Sequence, residues 1–126
     1  MRSSATAALA LAAASVLLAG CSTGAARQSA AVTGGESRRG AAAIVRYGCG
    51  SCHTIQGITG AHGLVGPPLT GVRNRMYVGG VLPNSPQNMA RWIVDPKAID
   101  EKTAMPRLGV TPGDANDIAA YLQSID

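Results

Sequence analysis

Residues 47–53 read YGCGSCH, and this short stretch sets the expectations for the whole chain. Two thiols, Cys49 and Cys52, are three positions apart, and the imidazole of His53 follows directly. The pattern Cys-x-x-Cys-His is the attachment signature of c-type haem. At this spacing both thiols lie on one helical turn and reach the two vinyl groups of one porphyrin, while the histidine faces the iron. The sequence therefore predicts one haem c, covalently bound through Cys49 and Cys52, with His53 as an iron ligand.

Three other interpretations of these residues are open at this point. A thioredoxin-like Cys-x-x-Cys needs a βαβ context, and no alternating strand pattern precedes Cys49. A disulfide between Cys49 and Cys52 is possible in an oxidising compartment, but it leaves His53 unexplained. Zinc needs four ligands, which Cys49, Cys52, His53 and His62 could supply, although three of them on one turn are poorly spaced for it.

The composition also favours a large non-protein group at the centre of the fold. The chain has 126 residues, which is enough for one domain. Aromatic residues are only 3% of it, with one Trp and no Phe, although a domain of this size normally buries several. A hydrophobic fraction of 46% with 14% charged residues excludes a disordered polyelectrolyte. The net charge of +4 is too small to indicate a nucleic-acid partner.

The first 21 residues have the pattern of an export signal. One positive charge, Arg2, precedes an apolar run over residues 5–19, which is short for a membrane span. Residues 17–21 read LLAGC and resemble the bacterial lipobox, which implies cleavage before Cys21 and acylation of its thiol. The alternative is an uncleaved anchor helix with an incidental cysteine. We expect a lipoprotein signal peptide over 1–20, an acylated cysteine and flexible tether over 21–36, and a folded domain over 37–126.

Local signals predict three main helices and no convincing strand. The first covers about residues 36–47 and stops at Gly48. The second begins after Ser85, a helix N-cap residue followed by Pro86, and runs to about Val94. The third follows Thr111 and repeats the same cap pattern, with apolar residues spaced three and four apart up to Ile125. We expect this terminal helix to pack across the first.

At this point the chain resembles a small class I c-type cytochrome over about residues 36–126. The markers of that family occur in its order: Cys49-x-x-Cys52-His53, Gly66-Pro67-Pro68-Leu69, Arg75-Met76-Tyr77, a helix with Trp92, and Thr103-Ala104-Met105-Pro106. Residues 81–106 are similar to the cytochrome c domain fused to subunit II of some haem-copper oxidases. The resemblance implies an all-α fold, with about three main helices and loops around one covalently bound haem.

The resemblance also implies roles for three further residues. Met105 corresponds to the second axial ligand of the iron, and the Pro67 carbonyl accepts a hydrogen bond from the ligating histidine. Trp92 packs on the haem and donates to a propionate, the alternative being an ordinary core residue of its helix. Separately from the resemblance, we expect Arg75 to pair with a propionate, the alternative being a solvated surface charge. For the second axial position we also consider Met76, Met89 and His62, or no ligand at all.

These ligands point to electron transfer rather than enzymatic catalysis. A methionine and a histidine raise the haem potential and fill both axial sites. We expect a monohaem carrier, as a monomer or complex subunit, tethered by lipid on Cys21 to the extracytoplasmic (periplasmic) face of a bacterial membrane, with the inner membrane favoured over the outer. Its expected partners are membrane redox complexes: a quinol-oxidising complex and a terminal oxidase or dehydrogenase. Alternatives are a haem peroxidase or gas-binding domain with a labile sixth ligand, and a non-catalytic haem subunit of a larger complex.

Overall fold

The computed structural model describes residues 34–126. The predicted signal peptide, the predicted acylation site Cys21 and most of the predicted tether lie outside the described residues. Within residues 34–126, no helix is long and apolar enough to span a bilayer.

The described part of the chain is mainly helical, which confirms the predicted fold class. Its elements are, in order, α1 (Ser37–Arg46), a 3₁₀ turn (Cys49–Ser51), a second 3₁₀ turn (Val72–Asn74), β1 (Tyr77–Val78), β2 (Leu82–Pro83), α2 (Pro86–Val94), α3 (Pro96–Ile99) and α4 (Pro112–Ser124). Helices α1, α2 and α4 are the three predicted helices, with bounds that differ by at most about one residue. The short helix α3 and the small antiparallel hairpin β1–β2 were not predicted. In the hairpin, Tyr77 pairs with Pro83 and Val78 with Leu82.

Three helices begin with the same local chemistry, a capping side chain followed by proline. The Ser85 hydroxyl accepts a hydrogen bond from the Asn88 amide at 3.1 Å, and this fixes the start of α2. Thr111 caps α4 in the same way at 3.1 Å. Asp95 ends α2 and also caps α3, since its carboxylate accepts from the Ala98 amide at 3.1 Å. The loop over residues 100–111 follows α3 and leads into α4.

Helix α4 packs across α1, as predicted, and the two backbones come very close. A Cβ on Gly40 would overlap the backbone carbonyl of Asp117, so only glycine permits this approach. The Asp117 carboxylate accepts hydrogen bonds from the Glu36 amide at 2.6 Å and from Arg39 at 2.8 and 3.0 Å. The guanidinium of Arg39 lowers the pKa of Asp117, so the carboxylate is ionised and paired although the residue is buried.

The core consists of small and aliphatic side chains, as the composition requires. Among the described residues, the largest fully buried side chains are Ile44, Met89 and Pro96. Trp92 is buried on α2, and alanines fill much of the contact between helices. These side chains surround a large space instead of closing it.

Candidate haem-binding site

A cavity of about 730 Å³ lies at the centre of the fold. Its volume is within the usual range of small-molecule and cofactor sites, about 300–1,000 Å³. Seven of the predicted site residues line this one cavity: Cys49, Cys52, His53, Pro67, Arg75, Trp92 and Met105. The eighth, Cys21, lies outside the described residues. The remaining walls are mostly aliphatic, which suits a large apolar disc.

His53 is oriented by a carbonyl on the opposite loop. Its Nδ1 lies 2.7 Å from the Pro67 carbonyl oxygen, which can only accept, so Nδ1 carries the proton. The lone pair of the neutral imidazole is then on Nε2, where it can bind a metal. Gly66 makes room for this arrangement, since a Cβ there would overlap the imidazole ring. Gly66 belongs to the Gly-Pro motif of the sequence, but only Pro67 was predicted to have a role in the site.

The two thiols are separate and partly buried at the cavity wall. Gly48 has a left-handed backbone with φ of 69°, and this turns the chain from α1 into the 3₁₀ turn that begins at Cys49. Both cysteines are free, so the structure contains no Cys49–Cys52 disulfide. Burial raises the pKa of the Cys49 thiol. Within residues 34–126 no group of three His, Cys, Asp or Glu side chains is placed to hold a metal ion, and His62 is exposed, which disfavours zinc.

Met105 enters the cavity from the loop between α3 and α4. Its backbone amide donates to the Thr103 hydroxyl at 3.2 Å, and the Thr103 carbonyl accepts from the Lys97 ammonium at 2.8 Å. The loop around this methionine is therefore fixed by polar contacts at two points. The thioether sulfur accepts a hydrogen bond from Nε1 of Trp92 at 3.1 Å.

The other candidates for a second axial ligand are placed differently. Met76 is 80% exposed and does not line the cavity, and neither does His62. Met89 lines the cavity but is only 1% exposed and is fixed within α2. Met105 is the methionine that lines the cavity from an irregular loop, the setting in which a thioether can approach a metal without constraint from helix geometry.

Trp92 and Arg75 make hydrogen bonds that were not predicted from the sequence. The indole N–H of Trp92 is directed at Met105, and the Arg75 guanidinium donates to the Pro68 carbonyl. Arg75 thereby links the cavity rim to the loop that holds His53. The predicted propionate contacts of both side chains stay predictions.

The donor set fits a covalently attached haem: two thiols, one oriented imidazole and one thioether line a single apolar cavity. The family model for cytochrome c matches residues 37–126. The chain belongs to the cytochrome c family. In this cytochrome c domain, haem c is the covalently bound cofactor, and Cys49 and Cys52 supply the Cys-x-x-Cys arrangement that attaches it.

One curated relative extends the comparison to a respiratory enzyme. The cytochrome c domain is 31% identical over 78 residues to a protein named cytochrome c oxidase subunit 2, from Alkalihalophilus pseudofirmus. The match covers 61% of this chain and 22% of that protein, so the chain spans about a fifth of the length of the relative. No solved structure matches the chain significantly.

Proposed function

We propose that this cytochrome c is a membrane-tethered, extracytoplasmic carrier of single electrons between respiratory redox complexes. Haem electron transfer follows from the family and the cofactor. The tether, the partners and the compartment are proposals that rest on the sequence and on the relative. The observation that best supports electron transfer is that His53 and Met105 line the same cavity as the two attachment thiols.

The proposed axial ligands of the iron are His53 and Met105. A haem bound in this cavity supplies a one-electron Fe(III)/Fe(II) couple. The chain contributes a histidine held by the Pro67 carbonyl and a soft thioether, which favours the ferrous state. If His53 and Met105 both bound the iron, the chain would leave no open site for peroxide or oxygen. This supports electron transfer rather than peroxidase chemistry.

The tether and location are proposed from residues 1–21. The apolar run followed by the LLAGC motif supports export and acylation at Cys21. Acylation with several chains gives firm anchoring, whereas one chain is marginal. A tethered domain encounters membrane partners at a high effective concentration. Haem ligation by Cys-x-x-Cys-His also agrees with an extracytoplasmic site, because bacteria attach haem c outside the cytoplasm.

The proposed partners are a quinol-oxidising complex as the donor and a terminal oxidase or dehydrogenase as the acceptor. The likeness to a protein named cytochrome c oxidase subunit 2 supports the oxidase side. The same likeness supports a second candidate, a fixed haem-bearing subunit of an oxidoreductase complex. The two differ in stoichiometry: a fixed subunit co-purifies with its complex in a constant ratio, and a mobile carrier does not.

A stopped-flow experiment tests the proposal. The purified holoprotein, with and without its acylated terminus, is mixed with solubilised membranes that contain either a quinol donor or an oxidase. We expect reversible reduction and oxidation at the c-type α band, faster with the acylated form. Absence of electron exchange with either membrane fraction would contradict the proposed role. Peroxide turnover by the purified protein would instead support the alternative enzymatic function.

A further inference from the structure

Met105 lies in the loop between α3 and α4 (the Met105 loop), and this loop is bonded to α3 on both sides of the methionine. Two residues before Met105, the Thr103 carbonyl accepts a hydrogen bond from the Lys97 ammonium at 2.8 Å. Two residues after it, the Arg107 guanidinium pairs with the Asp95 carboxylate at 3.5 Å. Asp95 caps α3, and Lys97 lies within it.

We propose that Lys97 and Asp95 are positioning residues for the proposed iron ligand Met105. Their two bonds hold the Met105 loop against α3, slow its opening and thereby protect the thioether–iron bond from exogenous ligands. This inference rests on the proposed function, because it assumes that Met105 binds the iron.

Helix α3 can hold the loop because the helix is itself fixed in the core. Pro96, its first residue, is one of the largest fully buried side chains of residues 34–126. The Asp95 carboxylate uses its two oxygens differently: Oδ1 accepts from the Ala98 amide at 3.1 Å, and Oδ2 faces Arg107. One carboxylate therefore joins the start of a buried helix to the loop.

On the other side of Met105, the bond from Lys97 continues to the methionine itself. The Lys97 ammonium also donates to the Glu101 carbonyl at 3.4 Å, so it bridges two carbonyls of the loop. Thr103, whose carbonyl it holds, accepts a hydrogen bond from the Met105 amide through its hydroxyl at 3.2 Å. A continuous chain of hydrogen bonds thus connects α3 to the backbone of Met105.

The Met105 loop depends on such bonds because little else covers it. Ala104, Pro106 and Leu108 are exposed, and the loop forms no helix or strand. Segments with few buried contacts open locally at a low free energy. A small number of polar bonds therefore decides how often this loop opens.

The first test measures the opening rate of the loop in the ferric holoprotein. Imidazole binds the iron only after Met105 has left it, so at high imidazole concentration the binding rate reaches a plateau equal to the opening rate. Lys97→Leu keeps an apolar side chain and removes the ammonium. Asp95→Asn removes the charge but keeps the helix cap, because Asn caps as well as Asp.

Both variants should open faster and bind imidazole more tightly. Loss of one hydrogen bond changes an equilibrium roughly two- to twelvefold, which is the increase expected for Lys97→Leu. An exposed ion pair contributes less, so roughly one-and-a-half- to fivefold is expected for Asp95→Asn. A plateau rate that stays at the wild-type value in both variants would overturn the proposal, even if their global unfolding free energy falls, because the bonds would then be merely structural.

Lys102→Leu is the matched control for loss of positive charge near the haem. Lys102 belongs to the Met105 loop, and within residues 34–126 its ammonium forms no hydrogen bond or ion pair. The control should keep the wild-type plateau rate and imidazole affinity. An increase as large as that of Lys97→Leu would assign the effect to net charge and overturn the role of Lys97.

The second test uses ionic strength, because both bonds involve exposed charged groups. Salt shortens the Debye length from about 10 Å at 0.1 M to about 3 Å at 1 M. The wild-type opening rate should therefore rise with salt toward that of the double variant Asp95→Asn/Lys97→Leu, whose own rate should change little. The same salt dependence in both proteins would show that other groups hold the loop.

The outcomes separate this inference from the function on which it rests. A wild-type protein without a c-type α band, or without a far-red methionine–iron band, would contradict the proposed haem ligation before any variant is compared. A wild-type protein with both bands, in which the variants at Lys97 and Asp95 behave like Lys102→Leu, would overturn only the role of these two residues.

Discussion

Replacement of Gly40 by alanine should separate the two helices that hold the fold together. An ideal Cβ at Gly40 lies 2.6 Å from the carbonyl carbon of Asp117 and 3.0 Å from Cβ of Tyr121 and overlaps the Asp117 carbonyl oxygen. Carbon atoms prefer separations of about 3.5–4.0 Å, so α1 and α4 must move apart by about 1 Å. That movement also stretches the hydrogen bonds between the Asp117 carboxylate and α1.

The net cost can be worked from two opposing effects. Alanine in place of glycine favours the helix by about 1 kcal/mol. Overpacking costs about 1–3 kcal/mol, and the upper end applies here because the obstacle is backbone rather than a flexible side chain. We expect the free energy of unfolding to fall by about 2 kcal/mol, and the melting temperature by roughly 8–16 °C for a domain of this size.

Thermal and urea unfolding of the holoprotein, followed by circular dichroism, measures this change. The matched control is Gly113→Ala on α4, where a Cβ meets nothing within 4 Å. That variant should be stabilised by about 0.4–1 kcal/mol. If Gly40→Ala is as stable as the wild type, the close α1–α4 packing described above is wrong.

Two further predictions concern acid stability and the apoprotein. Arg39 lowers the pKa of Asp117, so the stability from this carboxylate is present above its unfolded pKa of about 3.9 and is lost as the pH falls through the lower folded value. Asp117→Asn should lower the free energy of unfolding at pH 7 and flatten its pH dependence below pH 4, as measured by urea titrations. An unchanged acid transition would exclude this carboxylate as the cause of acid unfolding. The double variant Cys49→Ala/Cys52→Ala should be largely unfolded without haem, since the aliphatic core surrounds a cavity of about 730 Å³. A cooperative, native-like melt of that apoprotein would show that the core suffices alone.

Much of the fold could be predicted because its signals are local. Ser85-Pro86 and Thr111-Pro112 are capping pairs that mark the starts of α2 and α4, and Gly48 marks the end of α1. Helix α3 was not predicted, although Asp95-Pro96 has the same form as the other two capping pairs. The sequence Gly79-Gly80 between apolar residues was likewise a visible hairpin signal, but strands of two residues are too short to show alternation.

The site residues also differ in how far their roles can be predicted from local sequence. The thiols and His53 are contiguous, so the motif alone predicts their chemistry. The partner of Trp92 is 13 residues away along the chain and depends on how α2 meets the Met105 loop. The contact of Arg75 with Pro68 depends on the packing of two loops. Such contacts are set by tertiary geometry, which composition and periodicity do not encode.

The most direct test of the central claim is the optical spectrum of the holoprotein, compared with that of Met105→Ala. For the wild type we expect a c-type α band on reduction, a weak far-red methionine–iron band when oxidised, and slow binding of CO. Met105→Ala should keep the α band, because Cys49 and Cys52 still attach the haem, but should lose the far-red band and bind CO rapidly. A wild type without the c-type band, or a far-red band that survives in Met105→Ala, would contradict the proposed haem site.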